Sequence, residues 1–401
     1  MPSYVEQLAE TSVEKVVAGC FRQINEKITN MKKLNIIVMG KSGVGKSTLI
    51  NAVFREDYAE TGIGRPVTQS IRKFEKKDVP LVIFDTPGFE LAREQQESVK
   101  DEILHLIRGG VSAYDDEKNI ITSGTNCCAD INQSIHCIWY CINVGANRID
   151  PAEITWLKEF TEENKLTQVP VFVILTQACP KKKALEMQRA VEAENLHVCK
   201  VIPILAEDVE FDEEHVIQAY GLETLIQLMA QILPDELQPT LQNVQKVSLE
   251  MKKKSAHAAV TAAVTASVAA AAAPIPFSDA ALLIPTQVSM LASITVVFGL
   301  GVNKSLLTCV LSSAIGSGGA TLLGRTVAAN LAKFIPGGNV AGAAISAATA
   351  GTITAALGET YIKIMEMIFL GEMNQEDFTT SAGKQKITEL FQHNLRAGKN
   401  K

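Results

Sequence analysis

The sequence predicts an α/β domain, doubly wound around a mainly parallel sheet, followed by an all-α hydrophobic helical domain. Three observations lead there. Between residues 34 and 235, short continuous apolar runs alternate with amphipathic stretches, as in parallel strands buried on both faces. Between Ser255 and Gly358, 104 residues carry only four charged side chains: Asp279, Lys304, Arg325 and Lys333. The other 297 residues carry the remaining 78, an ordinary density for a water-exposed domain. The whole chain, 401 residues and 47% hydrophobic, is long enough for two domains and too apolar for general disorder. Its net charge of -6 disfavours a nucleic-acid partner. Eight cysteines without paired CxxC spacing fit a reduced, cytoplasmic compartment. The charged start MPSYVEQLAETSVEK does not read as a secretory signal.

Residues 3–33 read as a helix, because Val13, Val17, Phe21, Ile24, Ile28 and Met31 recur at steps of three and four. A helix of this kind is expected to pack on the domain that follows, with a partner or membrane-surface helix as the alternative. LNIIVMG then reads as a buried strand and GKSGVGKSTLINAVF as a loop turning into a helix. After the strand-like IRKFE come LVIFDTPG (strand and loop), SVKDEILHLIR (helix), IHCIWYCINV (strand) and DPAEITWLKEFTEEN (helix). VPVFVIL (strand), KKALEMQRAVEAEN (helix), HVCKVIPILAE (strand) and GLETLIQLMAQIL (helix) complete the alternation. Pro234 and Pro239 close it. LQNVQKVSLEMKKKS reads as a connecting helix ending in the basic cluster Lys252–Lys254. Residues 109–130 read as a polar loop, and the chain after Gly371 as a polar tail with a frayed end.

The segment Gly40-Lys41-Ser42-Gly43-Val44-Gly45-Lys46-Ser47, with Thr48 next to it, matches GxxxxGK[ST] between an apolar strand and a helix. Its glycines let backbone N–H groups curl around phosphate oxygens, and the helix N-terminus adds its dipole. Lys46 would reach the β- and γ-phosphates, and the Ser47 hydroxyl would ligate Mg²⁺. Asp85-Thr86-Pro87-Gly88 ends the next long strand. Asp85 can hold Mg²⁺ there, and the Gly88 N–H can sense a γ-phosphate. Between the two motifs, Thr68 is the candidate to complete the metal shell, with Thr61 second.

With these motifs in this order, residues 34–235 resemble the translation-factor-related class of P-loop GTPases, and within it the Era-like group. The resemblance implies a P-loop G domain that binds GTP or GDP with Mg²⁺ and hydrolyses GTP. It implies Lys46, Thr68 and Gly88 as the catalytic set, and Ser47, Thr68 and Asp85 as the metal set. It also implies two switch loops, around Thr68 and after Asp85, ordered by the γ-phosphate. The base-reading [NT]KxD motif appears as Thr176-Gln177-Ala178-Cys179, so Gln177 replaces the lysine and Cys179 the aspartate. Ala206 and Glu207 stand where the last base motif belongs. Guanine selectivity is thereby in doubt, with Asp208 or Glu207 as substitutes, and ATP use or a barely hydrolysing nucleotide-gated scaffold are the alternatives. Phe89 occupies the place of a water-orienting glutamine. Hydrolysis is then expected to be slow and completed by a homodimer partner, an activator protein, or a group such as Glu90, Arg65 or Arg148.

Four charge-free runs, Ser255–Ser278, Ala280–Asn303, Ser305–Gly324 and Phe334–Gly358, each reach the ~20 residues of a spanning helix. Lys252–Lys254 precede them as a cytoplasmic flank would. Prolines 274, 276 and 285 suggest a hairpin. Their richness in Ala, Gly, Ser and Thr keeps an Ala-rich helical bundle open as the alternative. Pro274, Pro276, Phe277, Asp279, Gln287 and Met290, with Trp139, Tyr140, Thr176 and Gln177, are similar to a family of membrane GTPases whose C-terminal hydrophobic domain has no known function. That resemblance implies association with a lipid bilayer, the G domain facing the cytoplasm. The expected boundaries are an amphipathic helix 1–33, a G domain 34–235, a linker helix 236–254, a hydrophobic helical domain 255–367 and a polar tail 368–401.

Overall fold

The computed structural model describes residues 4–55, 71–87, 93–115, 120–121, 130–146, 149–165, 167–212, 215–272, 278–316 and 347–399. It divides into two compact units, 31–248 and 1–30 with 249–401.

In the unit 31–248, β1 (Leu34–Met39) is buried at all six positions, as its apolar run requires at the centre of a sheet. A loop leads to α2 (Lys46–Val53). The antiparallel edge strand β2 (Arg72–Glu75) precedes β3 (Leu81–Asp85), and α3 (Arg93–Gly109) follows. A two-residue pair, β4 (Tyr114–Asp115) and β5 (Ile120–Ile121), lies in the segment expected to be a loop. Then come β6 (Cys137–Asn143), α4 (Pro151–Asn164), β7 (Val171–Thr176), α5 (Lys181–Ala193) and β8 (Lys200–Pro203). A hairpin of β9 (Val209–Asp212) and β10 (His215–Ile217), which no alternation announced, precedes α6 (Leu222–Ile232) and α7 (Gln238–Val244).

The sheet order is β2-β3-β1-β6-β7-β8, parallel except at β2. The chain leaves β1 toward β3 and later returns to β6 on its other side. The carboxyl end of β1 is therefore the switch point where such sheets hold ligands. Trp139 and Tyr140 show why helices cover both faces. Successive strand residues point opposite ways. Phe54 stacks on Trp139 on one side (5.6 Å), while Tyr140 meets Trp156 of α4 on the other (6.1 Å).

The second unit is helical. It contains α1 (Tyr4–Thr29), α8 (Leu249–Ala272), α9 (Ser278–Phe298), α10 (Lys304–Gly316), α11 (Ala347–Phe369) and α12 (Ser381–Lys399). Three expectations change here. The N-terminal helix, expected to pack on the domain that follows it, joins this core through Val13, Val17 and Cys20. The connecting helix is two helices, interrupted where the Gln245 Oε1 accepts from the N–H groups of Val247 (2.7 Å) and Ser248 (2.8 Å). The polar tail holds α12, whose Ile387 and Phe391, one turn apart, are buried.

The charge-poor runs pack on one another. Gly351 and Gly358 of α11 let α8 approach: a Cβ at Gly358 would lie 2.6 Å from Val260 Cγ2 and 2.9 Å from the Met290 sulfur. Pro285 lies inside α9 and does not break it. Lys252, expected to flank a membrane span, is fully buried and donates to the carbonyls of Val297 (2.9 Å) and Phe298 (3.0 Å), closing the carboxyl end of α9. Among the described residues, no helix is long and apolar enough to cross a membrane, which corrects the expectation of spanning helices at 255–278 and 280–303. Alanine and threonine supply too little transfer energy for that, but their small size suits close helix contact. Residues 317–324 and 334–346 of the other two runs lie outside the described residues.

Candidate functional site

The site is built at the carboxyl ends of β1, β3 and β7. Gly40 turns the chain out of β1 at φ 134°, against the Cys141 carbonyl of β6, where a Cβ would collide. Gly45, at φ 94°, opens α2. Lys46 curls back over the loop and donates to the carbonyls of Gly40 (2.9 Å) and Lys41 (3.3 Å). Its Nζ is 3.9 Å from Asp85 Oδ1 at the tip of β3. Val44 is buried, while Ser47 and Thr48 are half-buried on the first turn of α2.

Asp85 Oδ1 is buried and accepts no hydrogen bond. Burial pushes the Asp85 carboxyl above its ordinary range, against the opposite pull of Lys46 and Arg72. A buried carboxylate oxygen lacking a donor, on the strand next to a hydroxyl-bearing helix start, fits a hard, oxygen-seeking cation such as Mg²⁺. Thr86 is buried and its N–H donates to Val38, which fixes the β3 tip against β1. Thr68 and Gly88 lie outside the described residues, as do Thr61, Arg65, Phe89, Glu90 and Arg148.

On the other flank, the buried Thr176 hydroxyl lies against the Val44 carbonyl and 3.2 Å from that of Ile142, joining β7 to the loop. Gln177 (φ 49°) is exposed. Its Nε2 reaches the Gly43 carbonyl at 3.4 Å and its Oε1 accepts from Asn143 Nδ2 at 3.2 Å. Ala178 is buried, Cys179 and Ala206 are half-buried, and Glu207 is exposed. Asp208, the expected substitute for a missing carboxylate, accepts the Ala219 N–H at 2.7 Å with its Oδ1.

Lys41 behaves differently from the rest of its motif. Its ammonium points to α4, 2.9 Å from Glu153 and 3.3 Å from Asp150. Sequence reasoning did not single out Glu153, and it named Tyr140 only for its likeness to a family of membrane GTPases. The only available signal was Asp150-Pro151-Ala152-Glu153, the N-cap and third residue of a helix directly after a strand end.

Comparison with known proteins finds similarity mainly within the unit 31–248. A family model described as Septin matches residues 30–226. Septin-2 of Rattus norvegicus is 26% identical over 194 residues, covering 45% of this chain and 51% of the relative. GTPase Der of Jannaschia sp. is 41% identical over 75 residues, 18% of this chain and 16% of that one. A crystal structure of an Aquifex aeolicus Era variant bound to GDP.AlF4- aligns at 15% identity and TM-score 0.34, covering 59% of this chain and 68% of the other. The chain spans about half the length of the septins it matches. The similarity is to septins over just under half of the chain, whereas the motifs alone pointed to the Era-like group. The unit containing β1 to α7 is a P-loop G domain, and the described helices of the other unit form a separate core.

Proposed function

We propose that this chain binds GTP and hydrolyses it to GDP and phosphate with Mg²⁺, acting as a molecular switch. The carrying observation is Lys46, poised over two loop carbonyls, 3.9 Å from an Asp85 carboxylate whose Oδ1 accepts no hydrogen bond. Lys46 can exchange those carbonyls for β- and γ-phosphate oxygens. Ser47, Thr68 and Asp85 would hold the metal. Mg²⁺ when bound neutralises charge developing on the phosphate oxygens. The loop N–H groups of residues 40–48 would cradle the phosphates, with Thr86 and Pro87 beside them, and the Gly88 N–H would sense the γ-phosphate. Thr176, Gln177, Ala206 and Glu207 border the base.

The similarity to septins supports guanine nucleotide as substrate. Cys179 in place of a base-reading carboxylate favours a second reading, ATP use. Full-length protein, with Lys46→Ala as control, is titrated with labelled GTP and ATP in Mg²⁺, and phosphate release is followed. Preferential GTP binding with turnover above the control supports the first reading. Equal or better ATP binding supports the second, and binding without turnover supports a scaffold.

Three finer readings belong to the same proposal. Slow hydrolysis is completed by self-association or an activator, so specific activity should rise with protein concentration. Bilayer association rests on the charge-poor composition of 255–358 and is tested by vesicle flotation. Era-like kinship rests on the motifs at Gly40–Ser47 and Asp85–Gly88.

A further inference from the structure

We propose that Lys41, Glu153 and Tyr140 form a positioning network that clamps the phosphate loop to the start of α4, and that the Lys41 ammonium does not contact the nucleotide. The proposal rests on the nucleotide-binding reading given above.

Lys41 Nζ lies 2.9 Å from Glu153 Oε2, and the other Glu153 oxygen accepts the Tyr140 hydroxyl at 3.1 Å. The Glu153 side chain is 6% exposed and Tyr140 is fully buried. A carboxylate withdrawn from water this far is costly once a partner is removed. Glu153 is also held by its surroundings. Tyr140 meets Trp156, which stacks on Phe160 at 5.1 Å, so the start of α4 is packed against β6. Asp150 adds a second charge at 3.3 Å from Lys41 while capping α4 through the Ala152 N–H.

Lys41 is thus tied at both ends. Its side chain meets α4, and its backbone carbonyl accepts from Lys46 Nζ and from the Val44 N–H. The residue that anchors the loop also shapes the resting cradle of Lys46. Burial works to lower the Lys41 pKa, yet its bonds with Glu153 and Asp150 outweigh it and hold the ammonium above the ordinary lysine range. Moving this charge onto a phosphate would strand Glu153 with one neutral donor.

The experiment exploits a difference in sign. If Lys41 contacted phosphate, Glu153→Gln would free its charge and tighten nucleotide binding. A clamp predicts that Lys41→Gln and Glu153→Gln each weaken binding on the order of tenfold, the size of a lost charge-assisted bond. The double variant should be no weaker than either single, and Lys41→Arg should recover most of the loss. Tighter binding in Glu153→Gln, or additive losses, overturns the clamp. A second readout needs no nucleotide: hydrogen exchange of the peptide 40–50 should quicken in both single variants. Unchanged exchange overturns the clamp as well. Wild type binding no better than Lys46→Ala, with exchange still quickened, would sink the nucleotide reading and leave the clamp standing.

Discussion

Acid should destabilise the G domain through one residue. His136 precedes β6, and its Nδ1 accepts the backbone N–H of Asn35, the second residue of β1, at 2.9 Å. That bond requires the neutral ring. Burial lowers the His136 pKa from 6.5 to about 4, outweighing the Ile131 backbone, which favours the charged ring. The native state therefore binds this proton less readily than the unfolded chain. The associated stability is fully present above about pH 6.5 and is lost progressively as pH falls toward 4. At ~1.36 kcal/mol per pH unit, the loss reaches about 3 kcal/mol, about 1.4 of it by pH 5.5. His136→Asn keeps an acceptor near the Nδ1 position and removes the titration. The assay is urea unfolding of the full chain from pH 7.5 to 4.5, followed by tryptophan emission. The chain has two tryptophans, Trp139 and Trp156, and both are buried in the G domain. The wild-type midpoint should fall more steeply with acidity than that of the variant. Parallel pH curves would refute the argument, because every other group titrates in both proteins.

Further predictions follow from the other sites. Asp85→Asn should remove the Mg²⁺ dependence of nucleotide binding, so that chelator weakens the wild type and leaves the variant unchanged. Lys252→Met should destabilise the helical unit by about 2 kcal/mol, since the Val297 and Phe298 carbonyls lose their donor, read as a lower helical melting temperature. Gly358→Ala should cost about 1–3 kcal/mol by overpacking against Val260 and Met290. Gly19→Ala, whose nearest neighbour would be 3.8 Å away, should instead be neutral or stabilising in the same melt.

The central strands and the phosphate loop were legible because they are local in sequence. An apolar run such as Leu34–Met39 has one stable placement, between two layers of helices, and a glycine-rich turn before a helix has few other uses. The helical unit was legible only as composition. Ser255–Gly358 reads equally as lipid-facing or as self-packing, because both solvents reward the absence of charge. What composition could not show is how α8, α9 and α11 meet, with Gly351 against Val268 and Gly358 against Val260 and Met290. The same holds for single residues. Lys252 looked like a surface charge, and only the end of α9, far along the chain, turned it into a buried cap. Lys41 looked like one more member of a phosphate motif, and Glu153, 112 positions later, drew its side chain to α4. Sequence by itself determined which backbone surrounds the phosphate site, since that depends on neighbours along the chain. Only the tertiary structure decided which charges serve the site and which hold it in place, since a charge is satisfied by whatever partner folding brings within about 3 Å.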